Sequence, residues 1–563
     1  MYRRAIETSA GQDRRPPRRR SAQRQRQLRR RRGLALLVIA VLAILLIWRA
    51  ASCAGCGCGG GGGDQPAQAG PVPSPPAPAV AGDGVNVGTF LGNYGRRYYG
   101  QGPAPKRLDV IWKTELGSGM SSGKYEKDAP SKYAGSGWTG QANIVVDGGK
   151  TYVVASGYDY NLRKIDAATG KVVWAYKFDD IIKSSPSVFK NPSPTGPDDR
   201  YIVVAGSRRG YPKTMDDPTV APLRAVTFGS GKELWRQPVP RTKNYSRDVD
   251  GSGFFFDGVF YIGVESGYFY ALDPLQTTSW ASGKKPVVEH QTLLLGDKRN
   301  ANHGDDLALE GSASAVGKNL YIASGAGHVY GLRRSDLKVV WDYFVGTDLE
   351  GTPIPTKRGL LLQGVEKQYV KGKGGMLALD PTKPPDKATA WFFPTGNRKI
   401  GDWAGGVVGS AAVNDTYNPG GKYPALCAFN AIDGYVYLVS QDVMSDATVA
   451  GPMLQKGWKT PVQVTRVWNG GAISTPIIVG DSLISASYDQ RVHLFDIGYT
   501  PAQKGDPGAL PSASHDGNYW TVTLKERDQF FTGGGFESTP TLWNGRVYVG
   551  CRDGWFYCLG DKK

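Results

Sequence analysis

A short β-rich unit recurs along most of this 563-residue chain, and no other feature limits the fold as tightly. Residues 152–176 show it in full: Tyr-Val-Val-Ala-Ser, a Gly-Tyr-Asp-Tyr turn, Asn-Leu-Arg-Lys-Ile, an Asp-Ala-Ala-Thr-Gly turn, then Lys-Val-Val-Trp-Ala-Tyr. Short β runs punctuated by Gly and Asp turns make antiparallel strands. Three such strands cannot close a core without another sheet against their apolar face, so the unit has to repeat.

Three columns of residues follow the repeat. The apolar residue before the main turn is Ile165, then Val226, Leu272, Leu332, Leu379, Val439, Phe495 and Leu559. The strand that opens each unit is marked by Ser184-Ser-Pro, Gly251-Ser-Gly, Gly311-Ser-Ala, Gly351-Thr-Pro, Gly409-Ser-Ala, Ser474-Thr-Pro and Ser538-Thr-Pro, with a worn first version at 140–143. Tryptophan closes the units at Trp174, Trp235, Trp341, Trp391, Trp468 and Trp520, while the third offers Val287-Val-Glu289 instead. The eighth unit stops after Trp555-Phe-Tyr-Cys-Leu559, and the strand it lacks stands at the front as Asp109-Val-Ile-Trp112-Lys-Thr-Glu-Leu116. One strand short at the back with a spare at the front is what ring closure needs, and closure removes exposed edges. The expected fold is all-β: an eight-bladed β-propeller of four-stranded blades, docked by Trp112 and the six closing tryptophans.

Asp166-Ala-Ala-Thr-Gly-Lys-Val-Val-Trp174 resembles the tryptophan-docking repeat of pyrroloquinoline-quinone (PQQ) type propellers, and Phe228-Gly-Ser-Gly-Lys-Glu-Leu-Trp235 is a looser copy. The resemblance spans roughly residues 108–563. It implies the fold, and it implies two kinds of function: quinoprotein alcohol dehydrogenases, with PQQ and calcium in the channel, and non-enzymatic BamB-like assembly lipoproteins. The motif itself is a packing device common to both. Quinoprotein dehydrogenases typically carry a disulfide between adjacent cysteines; this chain has no Cys-Cys pair and no Cys-x-x-Cys-His for a haem. The resemblance therefore favours a binding scaffold with no cofactor over a PQQ- and calcium-dependent dehydrogenase.

The formal net charge of +18 suggests nucleic acid until it is located. Residues 1–32 hold thirteen Arg against Glu7 and Asp13, so most of the charge is a basic tail with no apolar periodicity, expected to be disordered in the cytoplasm. An unbroken apolar run of fifteen residues follows at 34–48. At 1.5 Å per residue it covers roughly 22 Å, and Ala50, Ala51 and Ser52 extend it towards the roughly 30 Å of a bilayer core. Arginines on one flank hold that flank in the cytoplasm. The reading is a signal-anchor over 33–52 that leaves the propeller outside the cytoplasmic membrane, with a basic block against anionic lipid and no nucleic acid as partner. A lipoprotein anchored at Cys53 is the alternative, since Ala50-Ala-Ser-Cys53 resembles a lipobox lacking its leucine. Trp48-Arg49 suits a cleavage site poorly.

Residues 53–84 read as a Cys/Gly/Pro linker, in which Cys53, Cys56 and Cys58 lack the further ligands of a metal shell. Residues 85–107 read as a strap over blade 8 or blade 1. Cys427, Cys551 and Cys558 read as free thiols, the last two offset across one hairpin, with Cys551 opposite Phe556 and Cys558 opposite Val549. The five histidines show no metal-binding spacing.

One pattern points beyond a scaffold. Two residues before the middle residue of each opening column stand Lys183, Asp250, Glu310, Glu350, Val408, Ile473 and Glu537. Residues two apart on a strand share a face, so Asp250, Glu310, Glu350 and Glu537 are expected to ring one channel mouth. Asp248, Asp305, Asp306, Asp348 and Asp402 would add to an acidic funnel that attracts a cation or a basic segment. Pro/Gly/Lys-rich insertions at 190–222, 274–302, 381–402, 441–466 and 499–519 read as display loops for a protein partner. Plentiful Tyr and Trp leave a cell-wall or glycan binder as a further alternative.

Overall fold

The computed structural model describes residues 83–123, 128–138 and 140–562. Eight antiparallel sheets of four sequential strands follow one another along the chain. The innermost strands are Asn143–Asp147, Ser187–Lys190, Phe254–Phe256, Ser314–Val316, Ile354–Pro355, Ala412–Val413, Ile477–Val479 and Thr541–Trp543, in blades 1 to 8. The eighth blade runs Thr541–Trp543, Arg546–Gly550, Trp555–Gly560 and then Asp109–Glu115, with Trp112 opposite Cys558 and Thr114 opposite Phe556. The ring is closed by the N-terminal strand, as the repeat requires. The basic tail, the apolar run and Cys53, Cys56 and Cys58 lie outside the described residues; among the described residues no helix is long and apolar enough to cross a membrane.

Five of the seven tryptophans dock as expected. Each indole Nε1 donates to a carbonyl of the next blade: Trp112 to Ala167 (2.9 Å), Trp174 to Phe228 (2.9 Å), Trp235 to Pro274 (2.8 Å), Trp341 to Lys383 (2.9 Å) and Trp391 to Gln441 (2.9 Å). A side chain on Gly170 or Gly231 would collide with the ring of Trp112 or Trp174 at 2.7 and 2.8 Å, which is why the turn needs glycine there. Trp468 and Trp520 are not docking residues. In the docked blades the tryptophan sits opposite the residue just before a bulge, as Trp235 does opposite Ala225. The same place is held by His290 in blade 3, Thr465 in blade 6 and Asp528 in blade 7. Asp528 serves as the polar equivalent, accepting the Leu108 N–H at 2.7 Å. Trp468 is 52% exposed, and Trp520 packs on Tyr423 across a hairpin arm.

That arm is one of three. The insertions of blades 3, 6 and 7 are extensions of the outer hairpin, at Tyr268–Trp280 with Gly283–Leu293, Tyr435–Val449 with Trp458–Trp468, and Arg491–Ala502 with Tyr519–Phe531. Only the insertions of blades 2 and 5 are mainly irregular. Cys427, Cys551 and Cys558 are free and buried. The hairpin register differs by one from expectation: Gly550 faces Phe556 and Tyr548 faces Cys558.

The opening Ser/Thr column forms a belt around the axis. Backbone N–H groups donate to the hydroxyl of the next blade from Gln141 to Ser185, Ser252 to Ser312, Ser312 to Thr352, Thr352 to Ser410, Ser410 to Thr475 and Thr475 to Thr539, at 2.8–3.1 Å. These N–H groups have no inner neighbour strand, so the hydroxyls supply what a ladder otherwise would.

The strap does more than cross blades 8 and 1. It threads the lumen. Gly84–Val87 pairs with the inner strand of blade 1, and Val188 of blade 2 donates to the Gly88 carbonyl at 2.6 Å. Ala315 of blade 4 donates to Tyr94, Val413 of blade 6 donates to the Tyr99 hydroxyl, and Gly100–Gln101 lies parallel to the inner strand of blade 8. Arg96 is fully buried at its centre. It donates to the carbonyls of Phe90 (2.6 Å), Ala313 (2.8 Å) and Ser252 (2.9 Å), and to the Thr89 hydroxyl (3.0 Å).

Candidate functional site

The two ends of the lumen differ because inner strands all run the same way. Their C-terminal ends lie beside the entering strap, where Asp83 accepts the Gly149 N–H at 3.0 Å. Their N-terminal ends follow the charged column, so the column sits at the opposite mouth. Between the two, the axis is filled. Phe90 and Leu91 of the strap are buried beneath the belt, and Trp138, 6% exposed, packs above with Val408, Ile432 and Ile473.

The expected acidic ring is a crescent. Val408 and Ile473 make the blade 6 and 7 side apolar. Glu537 stands apart on blade 8, accepting from Arg552 Nη1 at 2.8 Å and Tyr488 Oη at 3.4 Å. Asp250 is completely buried and ion-paired with Lys183 of blade 2. Glu310 and Glu350 line a cavity of about 170 Å3 over blades 3 to 5, with Lys183, Arg208, Tyr245, Asp248, Glu265, Asp348, Glu366, Gln368, Asp402 and Trp403. Of the flanking acids, Asp248, Asp348 and Asp402 face this cavity; Asp306 accepts from Tyr369 Oη at 2.7 Å, and Asp305 is exposed.

Seven carboxylates thus meet two cations in one small space. Arg208 lies 3.3 Å from Asp248, and the Tyr245 hydroxyl donates to Glu310 at 2.6 Å. Burial pushes the Glu265 carboxyl well above the usual range, and the charges of Asp250, Asp248 and Glu310 add to it. Asp250 is raised too, by burial against the pull of Lys183. For Lys183 and Arg208, burial favours the neutral form, but Asp250 and Asp248 outweigh it and hold both charged. Asp180, behind the cavity, is pushed up to about 6 by burial and by Asp248. Burial and acidic neighbours thus favour the neutral forms of Asp250 and Glu265, and a cation entering the cavity would favour their charged forms.

Residues 109–343, the closing strand and blades 1 to 4, match a family model described as outer membrane protein assembly factor BamB. The match, over less than half of the chain, is to PQQ-type propeller repeats. No curated protein matches the sequence. Among solved structures, the quinohemoprotein alcohol dehydrogenase of Comamonas testosteroni is 14% identical with a TM-score of 0.50, covering 85% of this chain and 81% of that one. A europium-containing methanol dehydrogenase is 12% identical with a TM-score of 0.47, over 84% and 91% of the two chains. The computationally designed Ika8 protein is 12% identical with a TM-score of 0.44, over 79% and 99%. At 14% identity the likeness to the Comamonas enzyme is one of fold.

The lining of this propeller does not suit the quinone itself. PQQ is a planar tricarboxylate, and the cavity at the mouth is already rich in carboxylates. Pockets for molecules of that size usually start near roughly 300 Å3, against about 170 Å3 here. The space fits an ion or one side chain.

Several lining residues escaped the sequence pattern. Glu265 and Glu366 stand just past the second strands Val259–Gly263 and Leu361–Val365, outside the opening column. Arg208 and Tyr245 come from loops of blades 2 and 3, where no repeat position points to them. A search of the second-strand ends for acids would have found the two glutamates.

Proposed function

We propose that this protein is a binding scaffold, held outside the cytoplasm by residues 33–52, whose acidic cup receives a basic segment of another exported protein. The observation that supports the reading is the cup itself: seven carboxylates against two cations around about 170 Å3, above a lumen filled by Phe90, Leu91 and Trp138. Such a cup accepts positive charge from one face only. The family description of an outer membrane assembly factor is consistent with an envelope assembly or interaction role. Crosslinking in native membranes followed by mass spectrometry tests this. Partner capture is expected with the wild type, and is expected to fall at least tenfold in a Glu310→Gln, Asp402→Asn double variant and at high salt. Equal capture by the double variant would count against the cup as the docking site.

A PQQ- and calcium-dependent dehydrogenase is the second reading, supported by the fold shared with the Comamonas enzyme. Adding PQQ and Ca²⁺ to purified protein and following dye reduction with alcohols separates the two. Turnover would overturn the scaffold reading.

A further inference from the structure

Lys183 and Asp250 hold the same repeat position in successive blades. Each stands four residues before an inner strand, Ser187–Lys190 in blade 2 and Phe254–Phe256 in blade 3, and this brings an amine and a carboxyl together across the blade boundary. Lys183 Nζ is in direct contact with Asp250 Oδ2, and the Asp250 side chain is completely buried. Glu265, 3% exposed, follows the second strand of blade 3 and lines the same cavity as Lys183. After burial, the strongest influence on its carboxyl is the charge of Asp250, and its Oε1 has no hydrogen-bond partner among the described residues. A nucleophile, an acyl group and a carboxyl able to carry protons are thus gathered in one place.

We infer that Lys183 and Asp250 join as an amide, an intramolecular crosslink between blades 2 and 3, with Glu265 relaying protons. The step needs no oxidant or reductant. A proton passes within the contact from Lys183 Nζ to Asp250 Oδ2, leaving an amine and a carboxylic acid. Nζ attacks Cγ, a C–N bond forms, and the Cγ–Oδ2 bond breaks. One of the two protons left on nitrogen travels through Glu265 to the departing hydroxyl, which leaves as water, and Glu265 ends as it began.

In water the two groups ionise and drift apart, so no amide forms. The fold removes both obstacles. It holds the reacting groups in contact, which replaces a bimolecular encounter. Burial is the largest influence on Lys183 and favours its amine, as does the nearby charge of Arg208; what holds the ammonium is first the negative charge of Asp250. That hold ends once Asp250 takes the proton, and burial favours the neutral acid of Asp250 as well. The neighbouring Arg208–Asp248 pair has no such route, because a guanidinium keeps its proton. The crosslink goes beyond the scaffold reading and does not depend on it. It leaves the cup with its seven lining carboxylates against Arg208 alone.

The test is the mass of the denatured full-length protein and of its tryptic peptides. Compared with Lys183→Arg, after allowance for the substitution, the wild type is expected to be lighter by one water. Trypsin is expected to leave the chain uncut after Lys183 and to release a branched peptide that joins the segments around Lys183 and Asp250. Asp250→Ala is expected to restore the full mass and the cut. Glu265→Gln keeps the side-chain shape and is expected to slow the reaction about a hundredfold or more, so that freshly purified protein has the full mass and still melts cooperatively. A wild type of full mass that trypsin cuts after Lys183 overturns the crosslink, and so does a missing water that persists in Lys183→Arg. Crosslinking at an unchanged rate in Glu265→Gln overturns the relay. Partner capture by a wild type shown to lack the crosslink would sink this inference and leave the scaffold reading standing.

Discussion

Trp391 shows what a docking tryptophan contributes. Its ring is 1% exposed between blades 5 and 6, and its one polar atom is satisfied by the Gln441 carbonyl. Trp391→Ala removes both the apolar filling and the clasp, so a loss of about 3–5 kcal/mol is expected in urea unfolding followed by circular dichroism. Trp468→Ala should cost under about 1 kcal/mol, because that ring lies on the surface beneath Arg398 and clasps no neighbouring blade. Equal losses for the two would contradict the assignment. At this scale the sequence was half legible. A Gly-Lys-Val-Val-Trp string identifies its own docking residue because turn and tryptophan are a fixed distance apart. Once an arm is inserted between them, as in blades 6 and 7, spacing no longer measures register, and the nearest tryptophan is the wrong one. The acids behaved likewise: Glu310 and Glu350 were found because they share a column, while Glu265 and Glu366 come from other strand ends and meet them only after folding.

Among the elements, the strap carries the most information per residue. A guanidinium buried without a carboxylate is an unusual choice, and its surroundings explain it: inner strands leave carbonyls facing the axis with no neighbouring strand to bond them. Arg96 supplies planar donors to those of Phe90, Ser252 and Ala313 at once. Arg96→Met keeps most of the volume and none of the donors. The expected loss is about 3–5 kcal/mol in the same urea assay, larger than for a surface arginine such as Arg107, and a loss below about 1 kcal/mol would show that the strap merely occupies space. The composition of 85–107 announces order but not its path, since many of the groups it bonds are backbone N–H and carbonyl groups, which no sequence pattern displays. The hydroxyl belt was visible as a column for the opposite reason: its acceptors are side chains.

For the whole molecule, closure follows from counting strands, and that is why it was legible before any coordinate. Each blade buries one face on the next, so a ring missing one strand leaves Asp109–Glu115 unpaired and a sheet edge open at the same place. Truncation after Gly550 removes Trp555–Gly560, the strand that stands between Arg546–Gly550 and Asp109–Glu115 in blade 8. It also removes Phe556, which packs with Trp112 and Tyr548 in the cluster joining blades 8 and 1. A solenoid of stacked units would tolerate this as the loss of a terminal cap, retaining a folded body of slightly lower stability. A latched ring would not, because the loss opens it at two interfaces together and exposes two edges to other chains. The truncated protein is therefore expected to lose its cooperative melt and to run as soluble aggregate in light scattering, whereas removing only Asp561, Lys562 and Lys563 should leave both unchanged. The strap adds a further expectation to that experiment, since Gly100–Gln101 still pairs with Thr541–Trp543 after truncation. If the strap were the principal fastening of the ring, the shortened chain would remain a monomer with a single sharp transition, and the closing strand would be reduced to a cover for blade 8.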